Sequence, residues 1–443
     1  MTRNYKEEYQ RWLDSPALSE SEWEELNSIA NDEKEIESRF FAPLEFGTAG
    51  LRGTMKLGLH QMNVHIIRHA TQAFANVIKA EGEEAMKKGI AICFDCRNNS
   101  ELFAHEAACV MAANGIHVRI FDALRPTPEL SFAVRYYGTT AGLNITASHN
   151  PKEYNGYKVY WSDGAQLPPQ HAEAIAEQMS NIDIFDDFVS CDFDEAVSQG
   201  KIELIGTETD EAYLECVLGQ AINKPLVAKV APELKIVYTP FHGAGYKLVP
   251  EALRRLGITQ LYPVPEQMVI DGNFPTVESP NPENPEGFYL AVDLAKKVGS
   301  DLIIGTDPDS DRIGVMVRSG GDYISITGNQ LGVLLLDYVI NARKAAGTLP
   351  DNAGAVKSIV TTEMAKAVAE TNGVHFEDTF TGFKFMAERI AQWEKAGSYK
   401  YIFAYEESYG YMMGDYVRDK DAVTASMMVA EMAAYYHDKG MNL

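Results

Sequence analysis

The sequence predicts an α/β fold of three related domains, on three observations. At 443 residues it is too long for a single core and suggests about three domains of ordinary size. Apolar strand-like runs alternate with helical patterns, which is the signature of mostly parallel sheets. The alternation restarts near residue 207 and again near residue 326. The expected domains are therefore 1-206, 207-325 and 326-443, blocks too large for solenoid repeats.

The composition is ordinary for a globular chain, with 46% hydrophobic and 23% charged residues. No apolar run is long enough to span a bilayer, so no membrane partner is expected. Met1 to Glu37 is acidic and has no apolar signal region, which implies a cytoplasmic protein. A net charge of −24 argues against nucleic acid, because counterion release needs a basic footprint. Anionic small molecules remain admissible if positive groups gather in one cleft. The cysteines at 93, 96, 109, 191 and 216 are odd in number and scattered, unlike a disulfide framework. Cys93-Phe94-Asp95-Cys96 has redox spacing, but it ends a strand-like run and no second metal pair follows, so it reads as structural.

In chain order, Tyr5 to Phe40 reads as two helices, the second capped by Ser19-Glu20-Ser21-Glu22. Phe46-Gly47-Thr48-Ala49-Gly50-Leu51-Arg52-Gly53 sets an arginine among glycines, where backbone can approach a ligand and a guanidinium can grip phosphate. It is not a Walker loop. A helix over 65–80, a strand ending at Asp95-Cys96-Arg97, a helix over 102–113 and a strand over 117–121 follow, and Arg125-Pro126-Thr127-Pro128 opens another helix. The buried run Ala141 to Ile145 then leads into Thr146-Ala147-Ser148-His149-Asn150-Pro151. Asn155-Gly156 is a turn signal before a strand over 158–161. Ser148 thus lies at a strand's carboxyl end, where α/β sheets bind ligands, beside His149 and close to Lys158. A hydroxyl so placed suits a covalent carrier.

The second block has a helix over 208–220, a strand over 234–238, a turn over 239–245 into a helix reaching Leu256, a loop over 271–286, a helix, and a strand over 301–305. After it comes Thr306-Asp307-Pro308-Asp309-Ser310-Asp311-Arg312. Carboxylates at i, i+2 and i+4 of an extended segment share a face and can converge on one cation. Hard oxygen donors suit Mg²⁺. The spacing is not an EF-hand, since Arg312 replaces the required glycine and Arg318 the final glutamate. A haloacid-dehalogenase-type phosphotransferase, with Asp307 as nucleophile, is the rival reading.

The third block has a helix over 328–343, a strand over 356–361, the loop Thr381-Gly382-Phe383-Lys384 at the start of a helix reaching Trp393, and strand-like stretches over 401–404 and 404–410. The latter carries Glu406-Glu407-Ser408, donors and acceptors suited to sugar hydroxyls. A last helix covers 422–436.

TASHNP, TDPDSDR, TGFK and EESYG, in that order, with FGTAGLRG before and NGYK after the serine, resemble the α-D-phosphohexomutase superfamily and most of all its bacterial phosphoglucomutase/phosphomannomutase branch. The resemblance implies reversible conversion of α-D-glucose 1-phosphate to glucose 6-phosphate, with mannose phosphates as secondary substrates. It implies a phosphoserine at Ser148 and a Mg²⁺ held by Asp307, Asp309, Asp311 and the Ser148 phosphate, with glucose 1,6-bisphosphate as intermediate and activator. Arg52, His149 and Lys158 would line the reaction centre with Arg312, Glu406 and Ser408 would grip the sugar, and Thr381 with Lys384 would read its orientation. Lys158 and His149 are the acid–base candidates, with Lys384 third. Phosphopentomutase is the nearest rival within the family, and a non-catalytic phosphosugar-binding remnant the rival outside enzymes. Family members carry a fourth domain with a phosphate-gripping Arg-Ser-Gly-Thr loop, which is not found here. That implies a three-domain chain with reduced turnover, because remote binding energy positions the reacting end.

Overall fold

In the computed structural model, residues 4–47 and 50–443 are described. Thr48 and Ala49, part of the glycine-rich stretch singled out above, lie outside them.

The strands of the first sheet are β1 Leu51–Thr54, β2 Ile90–Phe94, β3 Val118–Phe121, β4 Ala141–Ile145, β5 Tyr154–Trp161 and β6 Ile202–Ile205, in the order β1-β5-β4-β2-β3-β6. The second holds β7 Lys235–Thr239, β8 Gln260–Pro263, β9 Leu302–Thr306, β10 Ile313–Ser319 and β11 Asp322–Ile326, in the order β11-β10-β9-β7-β8. The third holds β12 Ala353–Ser358, β13 His375–Thr379, β14 Lys400–Glu406 and β15 Gly410–Met412, in the order β13-β12-β14-β15.

One plan is used three times. The first parallel strand (β2, β7 or β12) lies in the middle, with the second (β3, β8, β13) on one side and the third (β4, β9, β14) on the other. The chain then reverses into an antiparallel neighbour: β5 after β4, β10 after β9, β15 after β14. The loops at those three reversals carry Ser148, the aspartate triplet and Glu406-Glu407-Ser408. All three are therefore at the carboxyl end of the third parallel strand, where sheets of this kind present ligand-binding groups.

The central parallel strands are buried, as helices on both faces require: every residue of β2, β4, β9 and β12 is inside. The last helix, Ala422–Asp438, follows the third sheet in sequence but packs on Gly245–Leu256 of the second unit. Met427 and Met432 share one core with Leu248 and Leu253, which joins the two units by burial rather than by a linker alone.

Several sequence expectations are corrected. Residues 5–40 form three helices rather than two: Tyr5–Leu13, Glu20–Ser28 and Glu33–Phe40. Asp32, whose carboxylate accepts from the Glu35 N–H, starts the third. Asn155 and Gly156 are not a turn but lie within β5. Asn155 is buried, donating to Asn98 O and Ser100 Oγ, and a Cβ on residue 156 would stand 2.5 Å from Thr146 O. Glycine is needed there for close approach of two strands. The strand expected over 356–361 is 353–358, and the apolar Ile359 and Val360 are exposed beyond its end. The stretch 404–410 is not one strand but the end of β14, a turn with Tyr409 at φ +65°, and the start of β15.

Candidate active site

The three reversal loops meet. From the first unit, Ser148 Oγ donates to Asp307 Oδ2 at 3.2 Å and lies 3.1 Å from His149 Nδ1. Its backbone is at φ +54°, a left-handed conformation that non-glycine residues adopt only when their surroundings hold them there. In the second unit, Asp307, Asp309 and Asp311 each present an oxygen, the three lying within 4.8 Å of one another, and all three residues are buried.

The triplet converges for a reason other than the extended spacing inferred from sequence. Residues 307–311 form a tight turn, closed by Ser310 N–H to Asp307 O at 2.9 Å with Ser310 at φ +53°. Asp307 Oδ1 accepts from the backbone N–H groups of Asp311 and Arg312 at 3.1 and 3.0 Å. The first unit completes the turn: Thr127 donates to Asp309 O through its N–H and to Asp309 Oδ2 through its hydroxyl, both at 2.8 Å.

Cations surround the acids, as an anion-binding cleft in so acidic a chain requires. Lys158 Nζ is 2.8 Å from Asp309 Oδ2 and 3.9 Å from Asp311 Oδ2. Lys420 Nζ is 3.2 Å from Asp311 Oδ2 and 3.0 Å from Asp419 Oδ1. Arg312 pairs with Glu283 at 2.8 Å, and Arg52 donates to Asn150 Oδ1 at 3.0 Å beside the serine loop. Arg312 also bridges Gly410, which brings the hairpin of the third unit onto the aspartate turn.

Burial, reinforced by the charges of Asp309 and Asp311, pushes the Asp307 carboxyl well above the usual range. Burial works the same way on Asp309, but the Lys158 ammonium and the Thr127 hydroxyl outweigh it and hold that group low. Burial, then the charge of Arg312, takes His149 down to about 3, so its imidazole is neutral near pH 7. Burial lowers Lys420, yet Asp311, Asp419 and Glu406 together raise it, so it stays charged. Removing that charge as K420M leaves buried carboxylates unpaired. The expected cost is about 3 kcal/mol of folding stability, read as a lowered midpoint in urea.

The donor set fits a hard divalent cation. Three carboxylates share one buried point, and among the described residues Asp309 Oδ1 and Asp311 Oδ1 find no hydrogen-bond donor. Buried carboxylate oxygens left bare are costly unless a cation takes them.

The residues expected from sequence divide by position. Ser148, Lys158, Asp307, Asp309 and Asp311 are buried and form one contact cluster with the half-buried His149 and Arg312, and Arg52 borders it through Asn150. Glu406 is buried within the electrostatic reach of Lys420 and Arg312, with Ser408 hydrogen-bonded to it. Thr381 is exposed, and Lys384 sits 4.9 Å over the Phe385 ring. Among the described residues, no hydrogen bond or ion pair joins either of them to the acids. Lys420, Asp419, Thr127, Glu283 and Arg97 were not foreseen. The alternation Asp419-Lys420-Asp421 directly before a helix was the available signal for the first two.

Comparison with known proteins agrees with this architecture. The phosphoglucomutase/phosphomannomutase α/β/α domains I, II and III match residues 43–184, 211–320 and 327–442. The chain belongs to the phosphoglucomutase/phosphomannomutase family. Its chemistry is that of a phosphohexomutase, an intramolecular phosphotransferase of the isomerase class. A phosphoglucomutase of Staphylococcus haemolyticus is 36% identical over 409 residues, covering 92% of this chain and 72% of the relative. One of Staphylococcus saprophyticus is 38% identical over 393 residues, covering 88% and 69%. The crystal structure of the Paramecium phosphoprotein pp63/parafusin in its open form has a TM-score of 0.69 at 19% identity, covers 91% of this chain and 72% of that one, and shares its fold. The haloacid-dehalogenase-type reading gives way to this assignment. No helix among the described residues is long and apolar enough to cross a membrane.

Proposed function

We propose that this chain interconverts α-D-glucose 1-phosphate and glucose 6-phosphate, with Ser148 as the phosphoryl carrier and mannose phosphates as secondary substrates. The observation that carries the reading is the contact between the Ser148 hydroxyl and Asp307, made across two units at a buried, cation-lined point. The names of the relatives support the choice of glucose.

O1 and O6 of one hexose lie at opposite ends of the ring, so a single geometry cannot serve both. A carrier resolves this. Phosphoserine gives its phosphoryl group to the free sugar hydroxyl: the serine O–P bond breaks, the sugar O–P bond forms, and the hydroxyl proton passes to the cluster as the serine oxygen regains one. The product is glucose 1,6-bisphosphate. After it turns about in the cleft, the same exchange at the other end returns a phosphoryl group to Ser148. Free glucose 1,6-bisphosphate activates by phosphorylating a bare serine.

Lys158 and Arg312 set positive charge where the transferring oxygens bear negative charge. Neutral His149 and charged Lys158 are the groups placed to pass the proton. Glu406 and Ser408 hold sugar hydroxyls at fixed points, while Thr381 and Lys384 help to read the sugar's orientation. Asp307, Asp309 and Asp311 would hold Mg²⁺, which when bound neutralises charge on the phosphoryl oxygens.

The test is intact mass before and after phosphatase, with peptide mapping. One phosphate on the Ser148 peptide, stable to hydroxylamine, is expected after exposure to glucose 1,6-bisphosphate, together with mutase turnover that needs a trace of that compound. A hydroxylamine-labile phosphate, or one on another residue, would sink the reading. Ribose 1-phosphate as the faster substrate would instead favour a pentomutase.

A further inference from the structure

Arg97 is 3% exposed, on a loop directly after β2, and sequence reading gave it no role. Its guanidinium reaches four backbone carbonyls, three in the serine loop and one at the first residue of β5. Nη2 donates to Ser148 O and Asn150 O, each at 2.5 Å, and Nη1 donates to Pro151 O at 2.8 Å and Tyr154 O at 3.1 Å. Asp95 anchors it: Oδ2 lies 3.2 Å from Arg97 Nε, and Oδ1 accepts from Arg97 N–H at 2.9 Å and from Ser100 Oγ at 2.7 Å. The same carboxylate accepts from Thr146 Oγ1 at 2.6 Å, and Thr146 Oγ1 accepts from Ser148 N–H at 2.9 Å. Both backbone polar groups of Ser148 are thus tied to one Asp95–Arg97 unit, which accounts for how a serine is kept at φ +54°.

We propose that Arg97 is the positioning residue that aims the Ser148 hydroxyl at the aspartate triplet, an inference that rests on reading Ser148 as the phosphoryl carrier. A planar fork matches several carbonyls at once, which a lysine ammonium does not. The second unit braces the fork. The Phe274 ring lies 5.2 Å from the guanidinium carbon, and Asn98 Nδ2 donates to Asn273 Oδ1 at 3.0 Å. A Cβ at Gly272 would come within 2.5 Å of Asn98 N, so the 271–274 loop lies directly against the segment that carries Arg97. The unit that supplies the acids therefore also presses on the clamp that orients the serine, and the two reacting partners share one registration.

The test is single-turnover phosphorylation of the full chain by glucose 1,6-bisphosphate, followed by mass, for the parent, R97A and R97K. Displacing a reacting atom by about 1 Å costs roughly 100-fold in rate, so R97A is expected to transfer about 100-fold more slowly at saturating bisphosphate, with half-saturation within a few-fold of the parent. R97K is expected to remain well below the parent despite its charge. Added guanidinium is expected to speed R97A and leave the parent unchanged, a response that a general loss of folding would not give. Parent-like transfer by folded R97A or R97K, or a slow R97A that guanidinium does not speed, would overturn the proposal. If R97A does not fold, T146V decides: it removes the acceptor of the Ser148 N–H and is expected to slow transfer by about tenfold, and parent-like transfer would count against the clamp. A parent chain that takes no phosphate on Ser148 would remove the carrier reading itself, a result separate from normal transfer in the Arg97 variants.

Discussion

S148A is expected to abolish mutase turnover, by about 10⁴-fold or more, while leaving the fold and the metal site in place. The magnitude follows from loss of the covalent carrier: without it the two ends of the sugar have no common phosphoryl donor, and only binding and charge stabilisation remain. The side chain is small, and its hydroxyl makes one donated bond, to Asp307, so its removal leaves no large cavity. The expected signature is therefore an unchanged melting curve, retained Mg²⁺ binding by calorimetry, and no phosphate on the intact mass after glucose 1,6-bisphosphate. Measurable turnover in S148A at even a hundredth of the parent rate would mean that another group carries the phosphate.

The second large effect has opposite signs for activity and stability. D307N is expected to lower turnover by about 10³-fold, as chelation of the parent with EDTA would, because the charge that faces the phosphoryl oxygens is lost with the metal. In chelator, the same substitution is expected to raise the melting temperature. Burial, then the charges of Asp309 and Asp311, makes the ionised form of Asp307 unfavourable in the folded chain. An acid with a raised folded pKa binds more protons folded than unfolded, so its contribution to stability falls as pH rises through the neutral range. Asparagine removes that penalty, and each pKa unit relieved corresponds to about 1.4 kcal/mol. The metal-free parent should accordingly gain stability on acidification from pH 7 towards 5, and D307N should gain less. Added Mg²⁺ should stabilise the parent and not the variant. A metal-free D307N that melts below the parent would show that the carboxylate is stabilised there by something other than a bound cation.

Much of this site was legible in the chain because its information is local. Ser148, the aspartate triplet and Glu406 each follow a buried apolar run, and the end of such a run in an α/β chain is where function collects. What misled was local as well. Asn155-Gly156 has the composition of a turn, but Gly156 is there because Thr146 O leaves no room for a Cβ, a constraint set by a neighbouring strand. Ile359 and Val360 have strand propensity but lie exposed past the last paired residue of β12. The short outer strands β6 and β8, four residues each, gave too little pattern to be read.

From its residues alone the chain determined its class, its repeated alternation of strand and helix, and which three loops hold the chemistry, since hydrophobic period and side-chain type act over a few residues. Tertiary structure decided how those loops combine. A tight turn at Ser310, rather than an extended strand, gathers the aspartates; Thr127 from another unit completes it; and Lys420, over a hundred positions downstream, supplies the nearest counter-charge to Asp311. Arg97 takes hold of carbonyls some fifty residues away. Electrostatic energy depends on distance through the folded interior, and distance along the chain does not report it.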